Sequence, residues 1–450
     1  MKKLLIKGGT IINEGVRYMA DLLIVDGVFH SMLPFGTQSI RADQIIDASG
    51  LFVLPGIIDD QVHFREPGLE TKGTIASESR AAVAGGITSF MEMPNTNPPT
   101  VTNELVKAKR AVAALTSWCN YSFYLGATNH NIQEIRNINP VEVCGVKVFM
   151  GSSTGNLLVD LPESLRSIFS SAGIPVAVHS EDEETIRANT RAYFAQYGPD
   201  GDASLHPMIR SHEACVLCTG RAIALSRETG GHLHLLHLST AEEVEMIRKA
   251  KSQGVNVTGE VCVHHLFFTD SDYASRGNFI KWNPSIKSEA DSRALIAGLK
   301  DGTIDIVATD HAPHEKEKKE GPYFQAPSGG PLVEHSLLAM LELAGRGLFS
   351  PEEVVTWMAH KPAELFGVDK RGFIREGFYA DLVLVKPDDP WVVEGDKTNY
   401  LVKWSPLEGI ELSHKVITTI VNGRIVYHQG EFFQENRHPM PLRFTCRSDR

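Results

Sequence analysis

With 450 residues, 42% of them hydrophobic and 22% charged, the chain has the composition of an ordinary globular protein and room for one large α/β barrel plus a smaller unit. A formal net charge of −11 argues against nucleic acid or an anionic membrane as the main partner. The opening MKKLLIKGG lacks the apolar stretch of a secretory leader and no apolar run approaches a membrane span, so a cytoplasmic location is expected. Of the six cysteines (119, 144, 215, 218, 262 and 446) only Cys215 and Cys218 are close together. One C-x-x-C inside helical sequence, with no second pair, is weak grounds for a zinc or redox site, and all six are read as reduced thiols.

In chain order, the first fifty residues are strand-like and broken by turns: LLIKGGTII, ADLLIVDGVFHSML and QIIDASGLFVL. The middle alternates apolar runs with helical patterns. The runs are 56–64, 87–93, 121–127, 144–150, 174–180, 232–238, 255–261 and 305–310. Between them, TIASESRAAVAGG and TAEEVEMIRKAKSQG suit amphipathic helices closed by glycine. Eight strand–helix units over about 250 residues predict a (β/α)8 TIM barrel. The last eighty residues return to strand patterns in ADLVLVK and HKVITTIVNGRIVYHQG. The expectation is an α/β barrel over 55–374, with 1–54 and 375–450 joined in one small β-sandwich domain.

A barrel of this kind carries its active site at the C-terminal ends of the strands. Unusual polar residues occur there. Gln61, His63 and Arg65 finish the first strand, and Asn95 in MPNTNPP follows the second. Lys147 interrupts the fourth, while His179, His237 and Asp310 end the fifth, sixth and eighth. Residues 61, 63 and 65 share a face for as long as the extended geometry lasts. A single histidine at a strand end is more often a hydrogen-bonded structural residue than a ligand, and Asp310 alone could cap a helix. Three histidines and an aspartate at the same end of four strands are a different matter, since imidazole and carboxylate are natural zinc ligands. His232 and His234, of opposite parity to His237, are expected to face the helices, and His264 and His265 are taken as structural. Lys147 sits between Val146 and Val148, and its bland reading is a stem reaching to the rim. Carboxylation by CO2 would instead make it an anionic ligand able to bridge two metal ions.

These residues, with the motifs HFREPG, MPNTNPP, GVKVFMGSS, VHSED, HLST, KWNPSIKS and ATDHAPH, resemble the amidohydrolase superfamily over essentially the whole chain. Within it the resemblance is greatest to the dihydroorotases of the longer, barrel-plus-sandwich type. Hydantoinases and allantoinases share the metal pattern but lack an arginine two places after the histidine, which makes Arg65 the discriminating residue. A guanidinium grips a carboxylate as a bidentate fork.

The resemblance implies one or two Zn2+ ions. His63 and Asp310 would hold the first, Lys147 as a carbamate would bridge, and His179 and His237 would hold the second. Arg65, Asn95 and His314 would bind the substrate carboxylate and Asn283 the ring. Metal-bound hydroxide would attack the ring amide, with Asp310 as general base and then acid. The reaction implied is the reversible interconversion of dihydroorotate and N-carbamoyl-aspartate in pyrimidine biosynthesis, by a homo-oligomer of two or more chains.

Gln61 departs from the family's usual histidine, and an amide carbonyl is a weaker zinc ligand than imidazole. Three readings therefore stand: a dihydroorotase with a weakened first metal site, another cyclic amidohydrolase such as an allantoinase or hydantoinase, or a non-catalytic partner protein. The tract 314–330, HEKEKKEGPYFQAPSGG, reads as a solvated loop at the barrel mouth and as a candidate lid.

Overall fold

The computed structural model describes residues 2–37, 40–151 and 157–445. Cys446 and the two serines ending GVKVFMGSS lie outside them. Five strands come from the N-terminal segment: β1 (Lys3–Asn13), β2 (Val16–Val25), β3 (Val28–Pro34), β4 (Gln44–Asp47) and β5 (Phe52–Pro55). Barrel strands follow as β6 (Ile57–Val62), β7 (Ile87–Glu92), β8 (Asn120–Phe123), β9 (Leu125–Gly126), β10 (Val146–Phe149), β11 (Val176–His179), β12 (Leu233–Leu235), β13 (Val257–Cys262) and β14 (Ile306–Ala308). The C-terminal segment adds β15 (Leu382–Lys386), a ribbon of β16 (Trp391–Val392) and β17 (Glu411–Leu412), then β18 (Lys415–Val421), β19 (Arg424–His428) and β20 (Glu431–Phe432).

All eight apolar runs of the middle segment contain strand. The third is split into β8 and β9 at Tyr124, whose backbone N–H makes the last bond to β7, at Glu92 O (3.0 Å), before Leu125 N–H turns to Gly145 O beside β10 at 3.1 Å. Parallel pairing runs β6–β7–β8 and β9–β10–β11–β12–β13–β14. The ring closes where Val62 bridges His311 in parallel and His63 N–H donates to His311 O at 2.7 Å. Every residue of β6, β7 and β10 is buried, as expected for strands covered by helices outside and packed within. The helices start on side-chain caps. Thr74 accepts from Ser77 N–H ahead of helix Ile75–Ala84, which Gly85 ends, and Thr240 forms a capping box with Glu243 ahead of helix Ala241–Ser252. Cys215 and Cys218 are buried free thiols inside helix His212–Thr229.

Both chain ends build one nine-stranded sheet in the order β20-β19-β18-β15-β5-β1-β2-β3, with β4 also on β1. The seam between the ends is β5–β15, antiparallel, with Leu382 opposite Pro55 and Val385 opposite Phe52. An irregularity between Ile6 and Gly9 bends β1, so its first half pairs with β4 and its second with β5. Leu4, Ile6, Leu22 and Ile24 from one arm pack in one buried cluster with Leu382, Leu384 and Ile420 from the other. The hairpin turns Asp26–Gly27 and Asn422–Gly423 have positive φ at both residues, the backbone that a two-residue turn of matching twist needs. Among the described residues, no helix is long and apolar enough to cross a membrane.

One expectation about facing fails. His234 does not face the helices: its ring nitrogen lies 3.5 Å from Asp60 on β6 and 3.4 Å from Glu260 on β13. In the closed ring, β12 is separated from β6 by β13 and β14, so such contact is made only across the barrel interior. The parity argument breaks because His237 stands at φ +39°, in the left-handed region, which ends the strand's alternation between the two histidines.

Candidate active site

A cavity of about 360 Å3 opens at the C-terminal ends of the barrel strands. Gln61, His63, Arg65, Asn95 and Lys147 line it, together with His179, His237, Asn283, Asp310 and His314, so the fold gathers all ten candidate residues into one space. Arg65, His237 and Asp310 have φ of +74°, +39° and +47°. Each left-handed non-glycine residue costs about 1–3 kcal/mol, which the surrounding packing sustains. The strain turns these side chains into the cavity just past their strands.

His63 is fixed from both sides. Its Nδ1 meets Asn95 Oδ1 at 2.6 Å and its Nε2 faces Asp310 Oδ1 at 3.0 Å. With the Nδ1 proton given to Asn95, Nε2 turns a lone pair towards a carboxylate oxygen. His179 repeats the pattern: Nε2 meets Glu181 Oε2 at 2.9 Å, and Nδ1 faces His237 Nε2 at 2.9 Å. His237 Nδ1 has no hydrogen-bond partner among the described residues. Burial drives all three imidazoles below their ordinary range, towards the neutral form that ligates metals. Glu181 is in turn held by Arg210. Burial alone would raise its carboxyl, but Arg210 and then His179 hold it at about 2. Facing lone pairs, an orphaned ring nitrogen and one histidine backed by a carboxylate are a donor set that fits a divalent metal.

Lys147 lies between these two pairs on β10, 1% exposed, its ammonium meeting the Phe149 ring at 4.7 Å. Burial lowers its pKa to about 8. Gln61 is also buried, and its amide is committed: Nε2 donates to Asp310 Oδ1 at 3.2 Å, and Oε1 accepts from the Cys262 thiol at 3.7 Å. As placed, Gln61 turns a donor to Asp310 and its oxygen to Cys262.

At another wall, Arg65 Nη2 donates to His314 Nε2 at 3.2 Å, and its Nε to Pro313 O at 3.2 Å. Burial brings Arg65 down to about 10, which leaves it cationic at neutral pH, and drives His314 well below its usual range. Asn95 spends its carbonyl on His63, while Asn283 Oδ1 has no partner among the described residues. Sequence reasoning missed Lys72, a further cationic residue on the cavity, which no motif marks. It also missed Glu181, although a carboxylate two residues after a strand-end histidine shares its face. Trp282 was missed too; its indole N–H holds Asp310 O at 3.1 Å and its ring stacks on His264. His265 Nε2 meets Pro284 O at 3.2 Å, a structural role as expected.

The tract 315–330 is less solvated than its charges suggest. Lys319, 1% exposed, donates to Pro327 O at 2.9 Å and Gly329 O at 2.8 Å. Lys281 clamps the same tract through Tyr323 O at 2.8 Å and Ala326 O at 2.6 Å. Within the charge run Glu317, Lys318 and Glu320 are exposed as expected, and the exception is Lys319, whose buried ammonium satisfies carbonyls of the glycine- and proline-rich stretch that lines the cavity at Pro327, Ser328 and Gly329.

A model of the amidohydrolase family matches residues 52–426. The chain is 36% identical to a dihydroorotase of Halobacterium salinarum over 88% of this chain and 92% of that one. It is 33% identical to an allantoinase of Bacillus velezensis over 95% and 94%. Among solved structures, the L-hydantoinase of Arthrobacter aurescens superposes with a TM-score of 0.93 at 29% identity, over 98% and 100% of the two chains. The chain belongs to the amidohydrolase family. It is a hydrolase acting on cyclic amides.

Proposed function

We propose that the ring it opens and closes is dihydroorotate, with N-carbamoyl-aspartate as the other partner of the equilibrium. The observation that carries this reading is the buried Arg65–His314 pair on the cavity wall, joined by Lys72. A buried guanidinium without a carboxylate partner is costly unless an anionic ligand completes it. Dihydroorotate carries a ring carboxylate; hydantoin and allantoin rings carry none. Of the relatives, several are named dihydroorotase, at 32–36% identity over most of the chain.

His63 with Asp310, and His179 with His237, are the residues that would hold zinc, one or two ions, with Lys147 between them as a carbamate. A buried amine with a pKa near 8 is uncharged often enough at neutral pH to add CO2. When bound, zinc acidifies water from a pKa of 15.7 to about 7 and polarises the amide carbonyl. Asp310 takes up a proton on the carboxylate that Gln61 and His63 approach, and delivers it to the departing ring nitrogen. Arg65, with His314 and Asn95, fixes the substrate carboxylate, and the free amide oxygen of Asn283 meets a ring N–H. Trp282 and the tract pinned by Lys319 exclude bulk water. Residues 55–374 are the catalytic barrel in this reading, and 1–54 with 375–450 its accompanying sheet domain.

The reading is tested by Arg65→Met. Loss of dihydroorotate turnover with metal content intact is expected, whereas unchanged KM for dihydroorotate would remove the basis for the assignment.

A further inference from the structure

Below the cavity, inside the barrel, lies a second group of ligand-type side chains that the proposed chemistry does not use. Asp60 on β6, His234 on β12 and Glu260 on β13 are each 0% exposed, and their ligand atoms lie within 4.8 Å of one another. We propose that these three residues, with Tyr124, form a separate structural site for a divalent first-row cation of the zinc class.

Distances point to this. His234 Nε2 stands 3.4 Å from Glu260 Oε2 and 3.5 Å from Asp60 Oδ2. Buried histidine–carboxylate pairs elsewhere in the chain close to 2.9 Å, both at His311–Glu78 and at His179–Glu181. Charge-assisted hydrogen bonds are expected at about 2.7–2.9 Å, so the His234 contacts are too long to be that. With zinc–ligand bonds of about 2.0–2.1 Å, neighbouring atoms of a tetrahedron stand about 3.3–3.4 Å apart, close to the two spacings measured from His234 Nε2.

The partner groups agree. His234 Nδ1 is bonded to Thr258 Oγ1 at 3.0 Å, which leaves Nε2 for the cluster. Glu260 Oε1 accepts the His237 N–H at 3.1 Å, which leaves Oε2. Such outer bonds are how proteins aim metal ligands. Both Asp60 oxygens lack a hydrogen-bond partner among the described residues, and so does the fully buried Tyr124 hydroxyl. Phe366 packs edge-on against the rings of both Tyr124 and His234, at 6.4 and 5.6 Å, and burial, with the Asp60 and Glu260 carboxylates bearing on it, raises the Tyr124 phenol. Two carboxylates and a neutral imidazole around a divalent cation sum to zero charge, the balance a fully buried site needs.

The test is made on the full chain. Crystals of the unsubstituted protein grown with excess zinc are measured at the zinc absorption edge, where an anomalous peak bounded by Asp60, His234 and Glu260 is expected. No peak there overturns the proposal, and this arm needs no variant to fold. In solution, a His63→Ala/His179→Ala/His237→Ala chain should retain one zinc per chain, lost on adding Asp60→Asn. Zinc content that Asp60→Asn leaves unchanged, or a triple variant that folds and holds none, also overturns it.

Discussion

At the scale of single residues, Gln61 is where the proposed first metal position is tested. Its Nε2 donates to Asp310 and its oxygen faces Cys262, so the position that usually supplies an imidazole here supplies a competing donor. Gln61→His is expected to retain more metal after dialysis against a chelator than the unsubstituted chain. Equal retention of two ions by both proteins would show that the first site is not weakened. Glu181→Gln tests the support behind His179. Loss of a carboxylate behind a ligating histidine costs about 10–100-fold in metal affinity, and zinc titration should show a drop of that order. Arg65→Lys keeps the charge but loses the fork. Hydrogen bonds to charged groups contribute about 1.5–3 kcal/mol, so KM should rise on the order of 10–100-fold with kcat less affected.

At the scale of elements, ionic contacts between neighbouring elements set stability, and one of them makes it pH-dependent. His212, at the first turn of helix His212–Thr229, meets Asp291 Oδ2 at 2.9 Å. That hydrogen bond raises the His212 pKa, so its contribution is fully present below about pH 6.5 and is lost as pH rises through the elevated folded value. The midpoint of thermal unfolding should therefore fall over that window, and His212→Gln should flatten this limb of the profile. Deeper in, Glu92 of β7 pairs with Lys109 at 2.8 Å, both fully or nearly fully buried. Lys109→Ala strands the carboxylate and should cost about 3–5 kcal/mol in denaturant unfolding, against little for an exposed pair such as Lys361–Glu364. The tract 315–330 is a third case: Lys319→Ala should make it the first site cut in limited proteolysis, because three carbonyl contacts are lost together.

Much of this was legible in the chain itself, for identifiable reasons. Parallel strands buried on both sides must be apolar runs, which is why all eight could be counted, and a polar residue such as Lys147 stands out against them. Strand-end residues were placed correctly where the strand's alternation persisted, as at Gln61 and His63. It misled at His237, where a left-handed residue reset the alternation, so that His234 was assigned to the wrong face and its cluster with Asp60 and Glu260 went unseen. Three strands distant in sequence had to close into a ring before those side chains could meet. Lys319 was read as solvated for a related reason: its carbonyl partners lie in a loop with no periodic pattern to announce it.

At the scale of the whole molecule, a sheet built from both chain ends joins a barrel whose C-terminal strand ends carry the histidine and carboxylate donors and the Arg65–His314 wall. The family fixes the reaction class, and the proposed choice of dihydroorotate within it rests on the buried Arg65–His314 pair. The most direct measurement compares turnover of dihydroorotate, allantoin and hydantoin by the zinc-replete chain. Turnover of dihydroorotate well above the other two, and its loss in Arg65→Met, is the predicted result. Turnover of allantoin or hydantoin with none of dihydroorotate, or inertness towards all three, would contradict it.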